Sequence, residues 1–334
     1  MDRRPIAVII GDIHFTLSTL ELATASTKLA IAKAKELGVP VVLNGDTLDS
    51  KAIIRAEVAN RLISILKDEL PGSVIVNTGN HDLCNEKGEE SALNFLEPYA
   101  RVVRQPVWIG SIGAYVIPYQ ADPKAFEGIL AECVEGSILI VHQGVEGANL
   151  GHYVQDKSAP KSSIFDGFIV IGSHYHAHQT IKCGKTGTFT YVGSPYTTSF
   201  GEANDPPKGF LVLYSDGSFE RVLTNLRNHV ICNWTTNELK ALKYAEGPKE
   251  GDLIWLKVTG PRSELDKLNK QELGTKLFGH SNFKLDKIYT EEERAKPPVK
   301  LQTDYEAMDS IIDQTTEGPE QKSYLKILYK ELME

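Results

Sequence analysis

VVLNGDTLDS, residues Val41 to Ser50, is an apolar run that stops at Asn44-Gly45 and sets two acids, Asp46 and Asp49, just past its end. An uninterrupted Val-Val-Leu is the pattern of a strand covered on both faces. Carboxylates at the end of such a strand lose solvation unless something positive meets them. The stretch therefore predicts a buried parallel sheet with a cationic partner beside its carboxyl end.

The same texture repeats along the first half of the chain. IAVII (6–10), SVIVN (73–77), SILIV (137–141) and FIVIG (168–172) read as further buried strands. Helical stretches are predicted from Ser18 to Leu37, closed by Gly38, and from Lys51 to Leu70, closed by Pro71-Gly72. Strands alternating with helices predict a layered α/β core. From Gly187 the runs shorten to TFTYVGSP and GFLVLYSDGSFERV, the second with an Asp-Gly turn, and they are expected to pack as the second layer of a sandwich.

Each buried strand ends in chemistry. The first is followed by Asp12 and His14, the second by Asp46 and Asp49, and the third by Asn80, His81 and Asp82. The fourth is followed by His142, and the fifth by His174, His176 and His178. Carboxyl ends of strands in an α/β sheet converge on one crevice. Taken singly, an Asp-x-His is a capped turn, a histidine after a strand is a structural histidine, and Gly-Asn is a tight turn. Together the five loops supply imidazole, carboxylate and carboxamide, the donors that a pair of divalent metals requires.

Composition bounds the rest. With 334 residues, a charged fraction of 24% and a hydrophobic fraction of 41%, the chain has the make-up of a globular protein with room for more than one domain. A net charge of −8 argues against a protein coated in nucleic acid and leaves room for a local basic groove. No stretch reaches a membrane span, and the N-terminal apolar run is too short for a signal peptide. Cys84, Cys133, Cys183 and Cys232 form no C-x-x-C pair, so the expected setting is reducing and cytoplasmic.

In this order, D-x-H, G-D-x-x-D, G-N-H-D, a lone His in VH, and H-x-H resemble the signature of the calcineurin-like metallophosphoesterases, over Asp12 to His176. HYHAHQ, YVGSPYTTSFGE (191–202) and LIWLKVTGP (253–261) are further similar to SbcD-type DNA repair nucleases, in a compact, phage-like version. The resemblance implies an α/β/β/α sandwich (1–225), a small α/β DNA-binding capping domain (226–292), and a linker with a C-terminal helix that docks a partner (293–334). It assigns Asp12, His14, Asp46 and His176 to one metal, and Asp46, Asn80, His142 and His174 to the other, with Asp46 bridging. The metals it implies are two Mn2+, with Fe2+ or Zn2+ as alternatives. His81 is placed as general acid, with Asp49 as its orienting partner. Ser173 departs from the pattern by intervening between Gly172 and His174, which leaves His176 and His178 as an alternative register.

The implied reaction is phosphodiester hydrolysis at DNA ends, as exonuclease or endonuclease, in repair, recombination or replication. The implied partners are DNA, an SbcC-type SMC-like ATPase subunit and a second copy of the chain in a homodimer. From Lys257 to Ile288 seven basic residues stand against four acidic ones, which suits a duplex backbone or merely a solvated helix face. A stand-alone phosphatase or cyclic-nucleotide phosphodiesterase on a small substrate, and a scaffold without activity, are the other readings.

Overall fold

The computed structural model describes residues 3–69, 72–85, 90–150, 159–241, 248, 251–279, 283–290, 308, 311–313 and 318–333. Its first strand, β1 (Pro5–Ile10), is an apolar run buried through its last four residues. Ala7 and Ile9 face one way, Val8 and Ile10 the other, so both faces need cover. β2 (Val41–Asn44), β3 (Val74–Asn77) and β4 (Arg101–Val103) follow in parallel beside it. β11 (Gly209–Tyr214) closes the other side of β1 in antiparallel register, Pro5 opposite Tyr214, and β12 (Phe219–Leu223) completes six strands.

A second six-stranded sheet runs β5 (Val107–Ile109), β6 (Ala114–Ile117), β7 (Ile138–His142), β8 (Ile169–Ser173), β10 (Gly187–Tyr191), β9 (Gln179–Cys183). Its four inner strands are parallel, and the two edges are antiparallel hairpin arms. Ile9, Val42 and Ile75 of the first sheet pack on Val116, Ile140 and Ile171 of the second. Helices α1 (Leu20–Leu37) and α2 (Ala56–Leu66) cover the outer face of the first sheet through Ala30, Ala34, Leu62 and Leu66. Helix α3 (Pro123–Glu132) covers the second through Phe126 and Leu130. The result is the α/β/β/α sandwich, and both sheets direct the carboxyl ends of their parallel strands to one edge.

Local chemistry accounts for the boundaries. Gly38 ends α1 in the left-handed conformation at φ 67°, and Val39 N–H closes back on Ala34 O at 3.0 Å. Helix α2 starts five residues later than its sequence pattern suggested. Residues 47–49 are pinned to the site: Asp82 accepts from Thr47 and Leu48 N–H, and Asp49 O accepts from His81. The chain needs Ser50 to Arg55 to swing out over the sheet. Leu70 and Pro71, where that helix was expected to end, lie outside the described residues.

The late β runs differ from expectation as well. They do not form a layer of their own. β11 and β12 extend the first sheet and β9 and β10 the second, because β1 and β8 each leave an open strand edge that must be paired. The 90–136 region, with no strong periodicity, contributes β4 to β6 and α3, whose start is set by Asp122 accepting from Lys124 N–H at 2.9 Å ahead of Pro123.

Beyond residue 228 a separate parallel sheet forms from β13 (His229–Thr235), β14 (Leu253–Gly260) and β15 (Lys284–Tyr289). Ile254, Leu256 and Val258 face a small core with Leu239, Leu265 and Phe283, supplied partly by α4 (Thr236–Ala241) and α5 (Arg262–Leu265). Asn269 separates α5 from α6 (Lys270–Phe278), which it caps by accepting from Gln271 and Glu272 N–H. Helix α7 (Pro319–Met333) ends the described chain, with Tyr324 and Ile327 exposed. Residues 293–307, the start of the expected linker, lie outside the described residues. Among the described residues no helix is long and apolar enough to cross a membrane.

Candidate metal centre

The loops after β1, β2, β3 and β8 meet in one cleft of about 240 Å3, lined by His14, Asp46, Asp49, Asn80, His81, His174, His176 and Thr198, with His142 at the end of β7 buried behind it. Five non-glycine residues among those described have positive φ, and four are Asp12, His14, Asp46 and His174. Such backbone is costly and persists where the surroundings over-determine it, typically at functional sites. Two glycines make the approach close enough. A Cβ on Gly45 would stand 2.0 Å from His142 Nδ1, and one on Gly79 would stand 2.2 Å from Asp46 Oδ1.

Three groups of potential ligands form among the described residues: two follow the expected sets, and the third joins His14 to Asp49 and His81. Asp12, His14 and His176 bring one donor atom each within 4.8 Å of one another, as do Asp46, His142 and His174. Asn80 Oδ1 joins the second set, 2.9 Å from His174 Nδ1 and 3.2 Å from His142 Nε2. Asp46 lies between them: its Oδ2 is 3.3 Å from Nε2 of His142 and 4.0 Å from Nε2 of His14. Its Oδ1 accepts from the His81 main-chain N–H at 2.9 Å. Fully buried Asp12 accepts from His174 N–H through both oxygens.

The electrostatics call for a cation. Burial pushes Asp12 above its ordinary value, against the pull of His142 and His176. Asp46, though burial pushes it up, is held well below the carboxylate range by His142 and its neighbours. Burial drives His14 down to about 3, while Asp46 and Asp12 overcome burial to lift His142 to about 9. His14 Nε2 and His176 Nε2 sit 3.0 Å apart, at hydrogen-bond distance and close enough for one ion to meet both. Neighbouring nitrogens around a cation at about 2.1 Å are separated by about that much. The residues present fit a pair of divalent ions.

Neutral acceptors and carboxylates fix the imidazoles from behind, as metal-ligating histidines require. His142 Nδ1–H donates to Asn44 O at 3.0 Å, which leaves Nε2 facing the cleft. His176 Nδ1–H donates to Glu202 Oε1 at 2.9 Å. His81 Nδ1–H donates to the main-chain carbonyl of Asp49 at 2.6 Å. Asp49 was expected as the orienting partner of His81. It is the partner of His81 through its main chain, while its carboxylate lies within 4.8 Å of a His81 ring nitrogen and 3.5 Å from Nδ1 of His14, a buried nitrogen with no hydrogen bond of its own. His178 sits apart from both donor sets, its Nδ1 2.7 Å from Tyr191 O, so the geometry groups His174 and His176.

Several contributors have roles that the sequence pattern does not reveal, even where, as for Asp82 in G-N-H-D, the residue belongs to a motif. Asp82, fully buried and raised to about 7 chiefly by burial, accepts from Gly79, Thr47 and Leu48 N–H and so ties two site loops together. Asn44 reaches across the sandwich to Val141 O and Ser173 Oγ. Glu202 and buried Lys208 form an ion pair at 2.9 Å behind His176. A G-D or G-N-H pattern points to metal, whereas these roles are recognisable only through partners distant in sequence. The four cysteines are free, and burial pushes the Cys183 thiol up to about 11, far from a nucleophile.

The family model of the calcineurin-like phosphoesterases matches residues 7–186, more than half of the 334. No curated protein gives a significant match to the chain.

Proposed function

We propose that this chain, which belongs to the calcineurin-like phosphoesterase family, hydrolyses phosphodiester bonds of DNA at its ends, alongside an SbcC-type SMC-like ATPase. The observation that carries the DNA reading is where the small β13–β15 module sits. Phe200, on the loop that also reaches the cleft, stands edge-on to His229 at 4.8 Å and to Trp255 at 5.5 Å. Trp255 lies under two ammonium groups, Lys284 at 3.4 Å and Lys257 at 4.0 Å. Two lysines gathered on an aromatic ring, beside the loop that reaches a phosphoesterase cleft, offer positive charge to a sugar-phosphate backbone, although Asp286 lies 3.9 Å from Lys284 Nζ. A small phosphate ester needs no such module.

Asp12, His14, Asp46 and His176 would hold one cation, and Asp46, Asn80, His142 and His174 the other. When bound, two divalent ions, Mn2+ in this reading, polarise phosphoryl oxygens and activate water for attack on phosphorus. The chain's own part is positional and acid–base. Asn44 O and Glu202 turn the imidazole faces inward. His81, with its Nδ1 proton committed to Asp49 O, presents Nε2 to the departing sugar oxygen and protonates it. No covalent enzyme intermediate is required.

The test is cleavage of end-labelled duplex and single-stranded DNA by the whole protein, with and without Mn2+, beside a phosphomonoester and a cyclic nucleotide. Mn2+-dependent cleavage of DNA well above turnover of the small esters is expected. Turnover of the small esters with intact DNA would replace this reading by the small-molecule one.

A further inference from the structure

The loop from Ser194 to Lys208 touches no reacting atom in this reaction, yet it closes around His176. The main-chain oxygen of His176 accepts from Ser194 N–H at 3.0 Å and from Lys208 Nζ at 2.9 Å. Its ring donates Nδ1–H to Glu202 Oε1. Glu202 Oε2 accepts in turn from Lys208 Nζ at 2.9 Å and Thr198 N–H at 3.2 Å, and the Thr198 hydroxyl also bonds Oε1. Lys208 is 5% exposed and further bonds Ser194 Oγ and Asp205 Oδ2. One ammonium group thus grips both the backbone and, through a carboxylate, the ring of a single histidine.

Desolvation offsets most of the Coulomb attraction in a buried ion pair, so the assembly adds little net stability. What it fixes is geometry. The two donor sets also differ here, since His142 is backed by a neutral carbonyl and His176 by a carboxylate.

We propose that Lys208 and Glu202 are positioning residues for one of the two cation sites: Lys208 fixes Glu202 and the His176 backbone, and Glu202 fixes the tautomer that turns His176 Nε2 toward Asp12 and His14. The inference rests on the two-cation reading of the centre and is independent of whether the substrate is DNA.

Glu202→Gln is the sharpest probe. With its oxygen facing Lys208, the amide sets an N–H against Nδ1 and drives the imidazole proton onto Nε2, where it blocks coordination. Lys208→Met removes the charge at similar length. The full chain, stripped of metal, is titrated with Mn2+ alone and free ion is followed by electron paramagnetic resonance, with melting of the metal-free protein as the structural control. Wild type should take up two equivalents. Both variants should keep one and bind the second about ten- to a hundredfold more weakly, with Glu202→Gln melting close to wild type, and His176→Ala should behave alike. Lys208→Met leaves Glu202 and Asp205 without their counter-charge. If it does not fold, the double variant Lys208→Met/Glu202→Gln replaces it with the same outcomes. Two equivalents at wild-type affinity in the variants, or equal weakening of both sites, would overturn the positioning role. A wild-type protein that binds no second equivalent would overturn the two-cation centre, and the inference with it.

Discussion

Asp46 is the residue on which both donor sets depend, because one of its oxygens faces Nε2 of His14 and of His142 while the other is held by His81 N–H. Asp46→Ala should therefore remove metal from both positions and abolish hydrolysis. Elemental analysis finding two equivalents in that variant would contradict the bridging role. His81 differs, since its ring faces the cleft with one nitrogen committed to Asp49 O. His81→Ala should keep its metal and lose about a hundredfold or more in rate, the scale of general acid catalysis. The loss should shrink for an ester such as bis-p-nitrophenyl phosphate, whose leaving group departs without a proton. Equal losses on both esters would remove the acid role. At this scale the sequence was most informative, because each donor follows an apolar run in a short motif. It was silent on the role of Glu202, the last residue of the 191–202 stretch, until its contact 26 residues back to His176 is seen.

Elements were legible where burial is two-sided. β1, β2, β3, β7 and β8 are unbroken apolar runs because helices cover one face and the opposite sheet the other. β5 and β6 were not, being short arms of an edge hairpin with Trp108 turned to solvent. The start of α2 was misjudged because helical periodicity continues through residues that the site loop holds elsewhere. In the outer module the Asn269 cap decides where α6 begins. Asn269→Ala should destabilise that module by about 1 kcal/mol. Thermal melting should register the change while Mn2+ stoichiometry stays at the wild-type value. A parallel loss of metal would mean that the module and the sandwich are coupled more tightly than Phe200, His229 and Trp255 imply.

For the whole molecule, the arrangement is a rigid two-sheet body holding the reactive groups, with a basic-aromatic module beside the cleft. Helix α7 presents Tyr324, Leu325, Ile327 and Leu328 to solvent, and on the proposed function this apolar stripe docks the ATPase partner. Ending the chain at Gly318 should leave metal binding and basal cleavage intact while abolishing co-purification with an SMC-like ATPase. Undiminished partner binding would make the helix a structural brace. Pairing Lys257→Ala with Lys284→Ala should weaken DNA binding and flatten its salt dependence, because each removes a phosphate-seeking charge. The central claim, that two cations in this cleft drive phosphodiester hydrolysis of DNA, is tested most directly by adding Mn2+ stepwise to metal-free protein while following cleavage of a labelled duplex. Cleavage should stay near background through the first equivalent and rise with the second. Cleavage that persists without added metal, or a protein that fills both sites and leaves DNA intact, would contradict it.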